Sequence, residues 1–372
     1  MDFARLSARD VLRIRVQPAA PEVHLHAAEE WLKRAQERGA DGGVSYGYSI
    51  KGGWRPSYRE TSGYIVTTFF RLARYRNDPD YRERAIRISR WLLSVQNVDG
   101  SFCNPDYGDA GIVFDTGQVL FGLVQAFTET EETAFRRGAQ RAAEWLINIV
   151  DGEGRWTRNE HLNTPHVYNT RTAWALLRMN QVNHDARRDQ VARANLNWAL
   201  LQQQPSGLFD KCAFENGVAP FTHTIAYAAR GLLESGLLLD DDRYIIAAQR
   251  CADAALKHLR KDGFLPGQIS IDGRAAASYC CLTGNCQFAI IWAKLFDCTG
   301  TEEYQRAALG ALDYVMRWQD IHATNQNIRG GIKGSQPIWG KYAPLTFPNW
   351  ATKFFVDAML VSSRWHERLP TV

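Results

Sequence analysis

The sequence predicts an all-α fold in which six helical hairpins, twelve helices in all, close into a toroid. Three observations lead there. Six times along the 372 residues a long loop runs into polar or aromatic residues and then into an apolar helix. The junctions recur at a period of about 53 residues that lengthens toward the end, the mark of repeated supersecondary units. Each period holds two helical patterns of different character, and the connections alternate between a few residues and about 17 to 30.

The first helix of each period is amphipathic; these cover roughly 24–38, 80–97, 132–149, 186–204, 241–260 and 302–319. In the second of them Ala85, Ile88, Trp91 and Leu92 share one face and the arginines take the other, the stripe of a helix buried on one side. The other set, near 61–76, 115–129, 168–183, 222–236, 282–298 and 349–364, is more apolar and richer in small residues. Its Phe288–Phe296 stretch is apolar nearly all round, which marks helices enclosed by other helices. Short turns such as Asn77-Asp78 make consecutive helices antiparallel neighbours. The apolar set therefore lines the inside and the amphipathic set the outside. The long loops open with glycine stops, Gly100, Gly207 and Gly263 among them, and all emerge on one face. Residues 1–23 are expected to be an extension lying against the barrel, and 24–372 a single toroid domain.

Composition is that of a globular protein: 45% hydrophobic, 23% charged, 12% aromatic. The net charge of +4 is spread along the chain without a Lys/Arg block, which argues against nucleic acid as a partner. No apolar run reaches about 18 residues, so no membrane span is expected. The first residues alternate charge with short apolar stretches and lack the apolar core of a signal peptide, which predicts a cytoplasmic protein. Seven cysteines without framework spacing are read as reduced thiols. Cys280, Cys281 and Cys286 cluster, but their spacing is neither C-x2-C nor followed by a close His, and no metal is assigned. Cys251, Cys286 and Cys298 fall on helices and are read as small buried hydrophobes. The glycine-rich stretch after Ile328 fits neither phosphate-loop nor dinucleotide spacing, and no cofactor is expected.

The candidate chemistry sits at the loop-to-helix junctions. Glu60, in Tyr58-Arg-Glu60-Thr-Ser-Gly-Tyr64, and Asp115, in Phe114-Asp115-Thr-Gly-Gln118, open adjacent inner helices. The macrodipole and free N–H groups there favour a carboxylate, and a plain helix cap satisfies the same rule. Equivalent positions in neighbouring repeats, flanking Trp54, Tyr58 and Phe114, and long covering loops raise the acid/base reading. Glycosidases use one carboxyl as acid and the other as base or nucleophile. Neighbouring helices about 8–10 Å apart suit an inverting pair with a water between. His166, Tyr168, Asn169 and Arg171 form the densest polar cluster. A lyase or epimerase acting on a uronate would remove the C5 proton with Tyr or His and neutralise the carboxylate with an amide or Arg. The same side chains can equally bind sugar hydroxyls or stitch loops together. His223 opens the fourth inner helix, as a proton-transfer group or as a capping core residue. The last two loops and the helix starts they feed are rich in aromatic and basic residues: Arg274, Tyr279, Arg329, Lys333, Trp339, Tyr342, Trp350 and Lys353, with Asn285 nearby. These read as a sugar- and anion-binding set, or as a snorkelling surface.

Over nearly the whole chain the pattern resembles the (α/α)6 six-hairpin superfamily of glycoside hydrolases, polysaccharide lyases, N-acylglucosamine 2-epimerases and related terpene-cyclase toroids. Trp91-Leu-Leu-Ser-Val-Gln96-Asn-Val-Asp-Gly100-Ser-Phe102 looks like the glutamine-aromatic repeat of squalene-type cyclases, in which the repeat supports the fold. The D-x-D-D motif of those cyclases has no counterpart; Asp240-Asp241-Asp242 is read as a helix cap on the face opposite the long loops. Glu60-Thr-Ser-Gly-Tyr64 looks like the acid-bearing helix start of some inverting hydrolases of this superfamily. Asn163-x-x-His166-x-Tyr168 resembles alginate-lyase-like sites, and His223 is the best match to the inner-helix histidines of the epimerases. The segment from Ile328 through Trp339 to Lys353 is similar to toroid proteins associated with polysaccharide and glycoconjugate biosynthesis. The resemblance implies a carbohydrate-active enzyme, and the residues favour cleavage of a glycosidic bond in an acidic, uronate-containing glycan by Glu60 and Asp115. Two alternatives stay open: a cofactor-free lyase or epimerase using His166, Tyr168 or His223, and a non-catalytic glycan-binding toroid. The expected partner is an anionic carbohydrate. Sugar, linkage and oligomeric state are not legible.

Overall fold

Thirteen α-helices and five short strands are found in the computed structural model, which describes residues 2–12 and 17–366. Met1, 13–16 and 367–372, assigned from the sequence to the extension and to the end of the toroid, lie outside the described residues. Helices α1 (Asp2–Val11) and α2 (Pro21–Glu37) come first. Five hairpins follow: α3 (Arg59–Arg76) with α4 (Pro79–Ser94), α5 (Val113–Thr130) with α6 (Thr133–Asn148), and α7 (Thr170–Asn180) with α8 (Ala186–Leu201). Next come α9 (Thr222–Leu239) with α10 (Asp242–Leu256), α11 (Leu282–Thr299) with α12 (Glu302–Trp318), and finally α13 (Asn349–His366). The sixth hairpin is made by the two ends of the chain, because α13 packs on α2 while touching α3 and α11. Helices α3, α5, α7, α9, α11 and α13 form an unbroken inner ring, each packed on one outer helix. This is the (α/α)6 toroid of twelve helices that the repeat predicted, with boundaries within about one turn of those expected.

The local chemistry explains the two kinds of connection. Inner helices end on a left-handed residue, Asn77, Glu131, Asp240 or Gly300, and the chain turns straight into the next outer helix. Asp78 and Asp241 then cap those outer helices through the backbone N–H groups of Asp80 and Arg243. The acidic run at 240–242 thus serves as turn and cap. At the other end of the barrel an amide side chain clamps the stop glycine and reaches the next outer helix. Gln96 Nε2 donates to Gly100 O at 2.8 Å and to Gly138 O on α6 at 3.0 Å. Gln203 Nε2 does the same with Gly207 O at 2.9 Å and Ala247 O on α10 at 2.8 Å. Gln319 Nε2 closes the circle, bonding Gly330 O at 2.7 Å and His24 O on α2 at 3.2 Å. Small residues let the inner helices approach: a Cβ on Gly122 would stand 2.3 Å from the Gly63 carbonyl oxygen.

The long loops share one end and are knitted by short strands. Strand β1 (Gly47–Ser49) pairs antiparallel with β2 (Gly53–Trp54) and with β5 (Thr346–Pro348), joining the first long loop to the last. Strand β3 (Cys280–Cys281) pairs with β4 (Ser335–Gln336). No helix among the described residues is long and apolar enough to cross a membrane.

Helix α1, the thirteenth, has no counterpart in the repeat. Its buried Asp10 accepts from Lys333 Nζ at 2.5 and 2.7 Å and from the Ile338 N–H at 2.8 Å. Lys333 is therefore not part of an anion-binding surface; its ammonium is consumed by an internal ion pair that ties α1 to the last long loop. Lys333→Met leaves the Asp10 carboxylate buried without its counter-ion. A loss of about 3–5 kcal/mol in denaturant unfolding is expected, most of it recovered in the Asp10→Asn/Lys333→Met double variant.

Candidate active site

Glu60 and Asp115 lie in the first turns of α3 and α5, which are neighbours in the inner ring. The Tyr58 hydroxyl donates to Glu60 Oε2 at 2.6 Å and accepts from Asn104 Nδ2 at 3.3 Å. Asp115 is buried, and its Oδ2 has no hydrogen-bond partner. Burial pushes the Glu60 carboxyl from its ordinary 4.5 up to about 7, against the opposing pull of the Tyr58 hydroxyl and the Arg171 charge. Burial also holds Asp115 well above the usual carboxylate range, and the charges of Glu60 and Glu160 push it the same way. The Tyr58 phenol is raised by burial and by both neighbouring carboxyls.

Deeper along the barrel axis stands Arg171, on the first turn of α7. Its Nε donates to Gln118 Oε1 at 3.0 Å, Nη1 has no partner, and the guanidinium lies 4.7 Å over the Tyr227 ring. Burial lowers its pKa only to about 10, so it stays charged at neutral pH. His223 Nδ1 meets Gln287 Nε2 at 2.6 Å, and burial, helped by Arg171, pushes the imidazole down to about 3.

On the other side of Asp115 the polar cluster is organised by Glu160. It accepts from Asn169 Nδ2 and, at 3.3 Å, from the Tyr168 hydroxyl. His166 stacks on Tyr168 at 4.6 Å, with Nδ1 3.7 Å from Glu160, longer than a hydrogen bond. Burial first and Glu160 next raise the Tyr168 phenol well above 10.

Seven rings form a closed chain of successive contacts: Phe114, Tyr168, Phe214, Phe221, Tyr342, His223 and Tyr227, the last returning to Phe114 at 5.0 Å. Trp350 joins through its Nε1–H to Tyr342 Oη at 2.7 Å, and Tyr46 packs against both Trp350 and Tyr58. Phe114, Phe214 and Phe221 are only partly buried.

Several residues expected in the site lie elsewhere. Trp54 packs on Trp31 and Tyr48 and bonds Asn327, away from the acid pair. Arg274 pairs with Asp272 on an exposed turn, and Arg329 binds the Ala323 carbonyl. Tyr279 bonds Gln268, and Asn285 is a buried stitch to Gly263 and Ala311. Lys353 is buried under the ring, bonded to Asp357 at 2.7 Å. Trp339 stands exposed on the last long loop. Cys298 is exposed rather than buried, whereas Cys280, Cys281 and Cys286 pack in the core, Cys280 donating to Asn285 Oδ1 at 3.1 Å. No three His, Cys, Asp or Glu side chains among the described residues form a metal-holding group.

Asn104, Glu160, Tyr227, Gln287 and Tyr46 contact the candidate residues without having been singled out from the sequence. Tyr227 follows His223 by four residues, a spacing that places both on one helix face and that could have found it. Glu160 and Asn104 sit in aperiodic loops, where no such signal exists.

The raised Glu60 carboxyl sets a pH dependence. Folding favours its uncharged form, so its stabilising contribution is complete below about pH 4.5 and fades as pH rises through about 7. Glu60→Gln, which stays neutral, is expected to melt above the wild type at about pH 8 and to lose that advantage by about pH 4. Parallel thermal scans that show one constant difference contradict the assignment.

No family model and no curated protein matches the sequence. Solved structures match its fold. The unsaturated glucuronyl hydrolase of Bacillus sp. GL1, responsible for the degradation of glycosaminoglycan, superimposes with a TM-score of 0.74 at 15% identity, covering 92% of this chain and 96% of that one. The cellobiose 2-epimerase of Bacillus thermoamylovorans gives 0.70 at 13% identity, with 89% and 95% covered. The unsaturated glucuronyl hydrolase of Streptococcus agalactiae gives 0.66 at 12%, with 95% and 94% covered. At these identities the likeness is one of fold: the chain shares the (α/α)6 toroid of these proteins.

Proposed function

We propose that this protein is a carbohydrate-active enzyme that cleaves a glycosidic bond in an acidic, uronate-containing glycan, with Glu60 and Asp115 as its acid/base pair. The carboxyl pair carries this reading. The two acids open adjacent helices at one mouth, flank the same tyrosine hydroxyl, and among the described residues receive no hydrogen bond from a lysine or arginine.

Asp115 is buried and Glu60 half-buried, and the Glu60 charge opposes ionisation of Asp115, so in this reading the pair holds one proton near neutral pH. Burial, Glu60 and Glu160 favour a neutral Asp115 and outweigh the Tyr58 hydroxyl and the Arg59 charge, while the Tyr58 hydroxyl and Arg171 favour an ionised Glu60. In the proposed reaction Asp115 gives its proton to the leaving-group oxygen as the glycosidic bond breaks. Glu60 takes one from the attacking water, and solvent exchange restores the pair. Arg171, charged and without a carboxylate hydrogen-bonded to it, is suited to the carboxylate of a uronate. The aromatic ring offers faces for a pyranose. The shared fold with unsaturated glucuronyl hydrolases supports this choice of sugar.

A histidine–tyrosine mechanism is less well supported. The Tyr168 proton is committed to Glu160, and its raised phenol is a poor base at neutral pH. His223, lowered to about 3, attracts a proton weakly. It is better suited to hydrogen-bonding a sugar hydroxyl.

The test is release of reducing ends from uronate-terminated oligosaccharides. Glu60→Gln and Asp115→Asn are each expected to lower kcat by roughly 10²–10⁴-fold, with Tyr168→Phe and His223→Ala retaining most of it. Full activity in both carboxyl variants, or solvent deuterium entering an uncleaved sugar, refutes the reading. Arg171→Gln should raise KM about 10- to 100-fold for the uronate substrate and leave a matched neutral sugar nearly unaffected.

A further inference from the structure

We infer that Asn104 is a positioning residue: it fixes the direction in which Tyr58 offers its proton, toward Glu60, and so favours the ionised form of that carboxyl. Asn104 is buried in the loop between α4 and α5, immediately before the 3-10 turn Pro105–Tyr107. Its Oδ1 accepts the Asp106 backbone N–H at 3.0 Å and so caps that turn. An amide whose oxygen is used in this way presents only its NH2 group elsewhere. That group faces the Tyr58 hydroxyl at 3.3 Å. A phenol carries a single proton. With its oxygen accepting from Asn104, Tyr58 sends that proton to Glu60 Oε2 at 2.6 Å. The reverse arrangement, a protonated Glu60 donating to Tyr58, would make the phenol oxygen accept twice and turn the Tyr58 proton away from Glu60. Asn104 therefore favours Glu60 as a carboxylate that accepts from Tyr58.

The loop is pinned on both sides of Asn104, which gives the amide a fixed place. Arg59 Nη1 donates to Cys103 O at 3.0 Å, and Asp106 pairs with Arg55 at 2.5 Å. The groups that face Glu60 from the elements around it are Asp115 on α5, Arg171 on α7, Tyr227 on α9, and the Tyr46, Tyr58, Tyr64 and Tyr168 phenols. Arg171 assists the ionised Glu60 and Asp115 opposes it. The phenols are uncharged at neutral pH, so only Tyr58 acts through a directed hydrogen bond.

The inference rests on the carboxyl-pair reading, but its test needs no substrate, so failure of the hydrolase reading leaves it decidable. Carboxyl carbon resonances of Glu60 and Asp115 are followed against pH in the full-length protein. Asn104→Ser keeps an oxygen able to cap Asp106 and is too short to reach Tyr58. The Glu60 midpoint should rise by about one pH unit, the size of one hydrogen bond to a carboxylate, and the Asp115 midpoint should fall. In a Tyr58→Phe background the same substitution should move neither. A Glu60 midpoint that stays in place, or that moves equally with and without the Tyr58 hydroxyl, overturns the inference. Asn104→Ala, read by the same double cycle, decides the matter if serine perturbs the turn.

Discussion

Everything else in this molecule depends on the closure of its ring. The inner helix α13 comes from one end of the chain and the outer helix α2 from the other, and neither has a hairpin partner until they meet. The Gln319 amide marks the join, bonding the backbone of Gly330 in the last long loop and that of His24 at once. Without that contact α13 would expose its apolar face, and α3 would lose its neighbour. The strand pairing of β1 with β5 crosses the same seam on the loop side and carries residues 46–48 to the mouth.

Closure also sets the dielectric of the site. The inner-helix starts gather at one end of the barrel, and burial is the leading cause of nearly every shift found there. It raises Glu60, Asp115, Tyr58 and Tyr168, and it lowers His223 and Arg171. Charges and hydrogen bonds then divide what burial supplies. Lys353 is paired with Asp357, and Arg230 with Glu234, whereas Arg171 makes its only resolved side-chain bond to an uncharged amide. These unspent groups, Arg171 beside two acids and a chain of aromatic rings, are what the proposed reading draws on.

Legibility followed periodicity. Glu60, Asp115 and His223 could be read because each opens an inner helix, a position the repeat defines. Tyr227 and Gln118 follow at helical spacing and were within reach of the same rule. Glu160 and Asn104 were not, since a loop residue becomes a partner only through the path its backbone takes. The cations of the last loops were over-read for a related reason. A sequence shows that Lys333 and Lys353 are basic, but not that Asp10 and Asp357 wait for them in the interior.

By itself the sequence determined the hairpin repeat, the inner and outer helix sets, and the end of the barrel at which polar residues gather, because local spacing and apolar patterning dictate these. Only the tertiary structure decided how the ring closes, which charges are spent on internal pairs, and which acid stands beside which hydroxyl. Those outcomes depend on contacts between residues far apart in the chain, such as Gln319 with His24 and Asn104 with Tyr58. No local pattern encodes such contacts; they exist once the backbone has folded and water has left the interior.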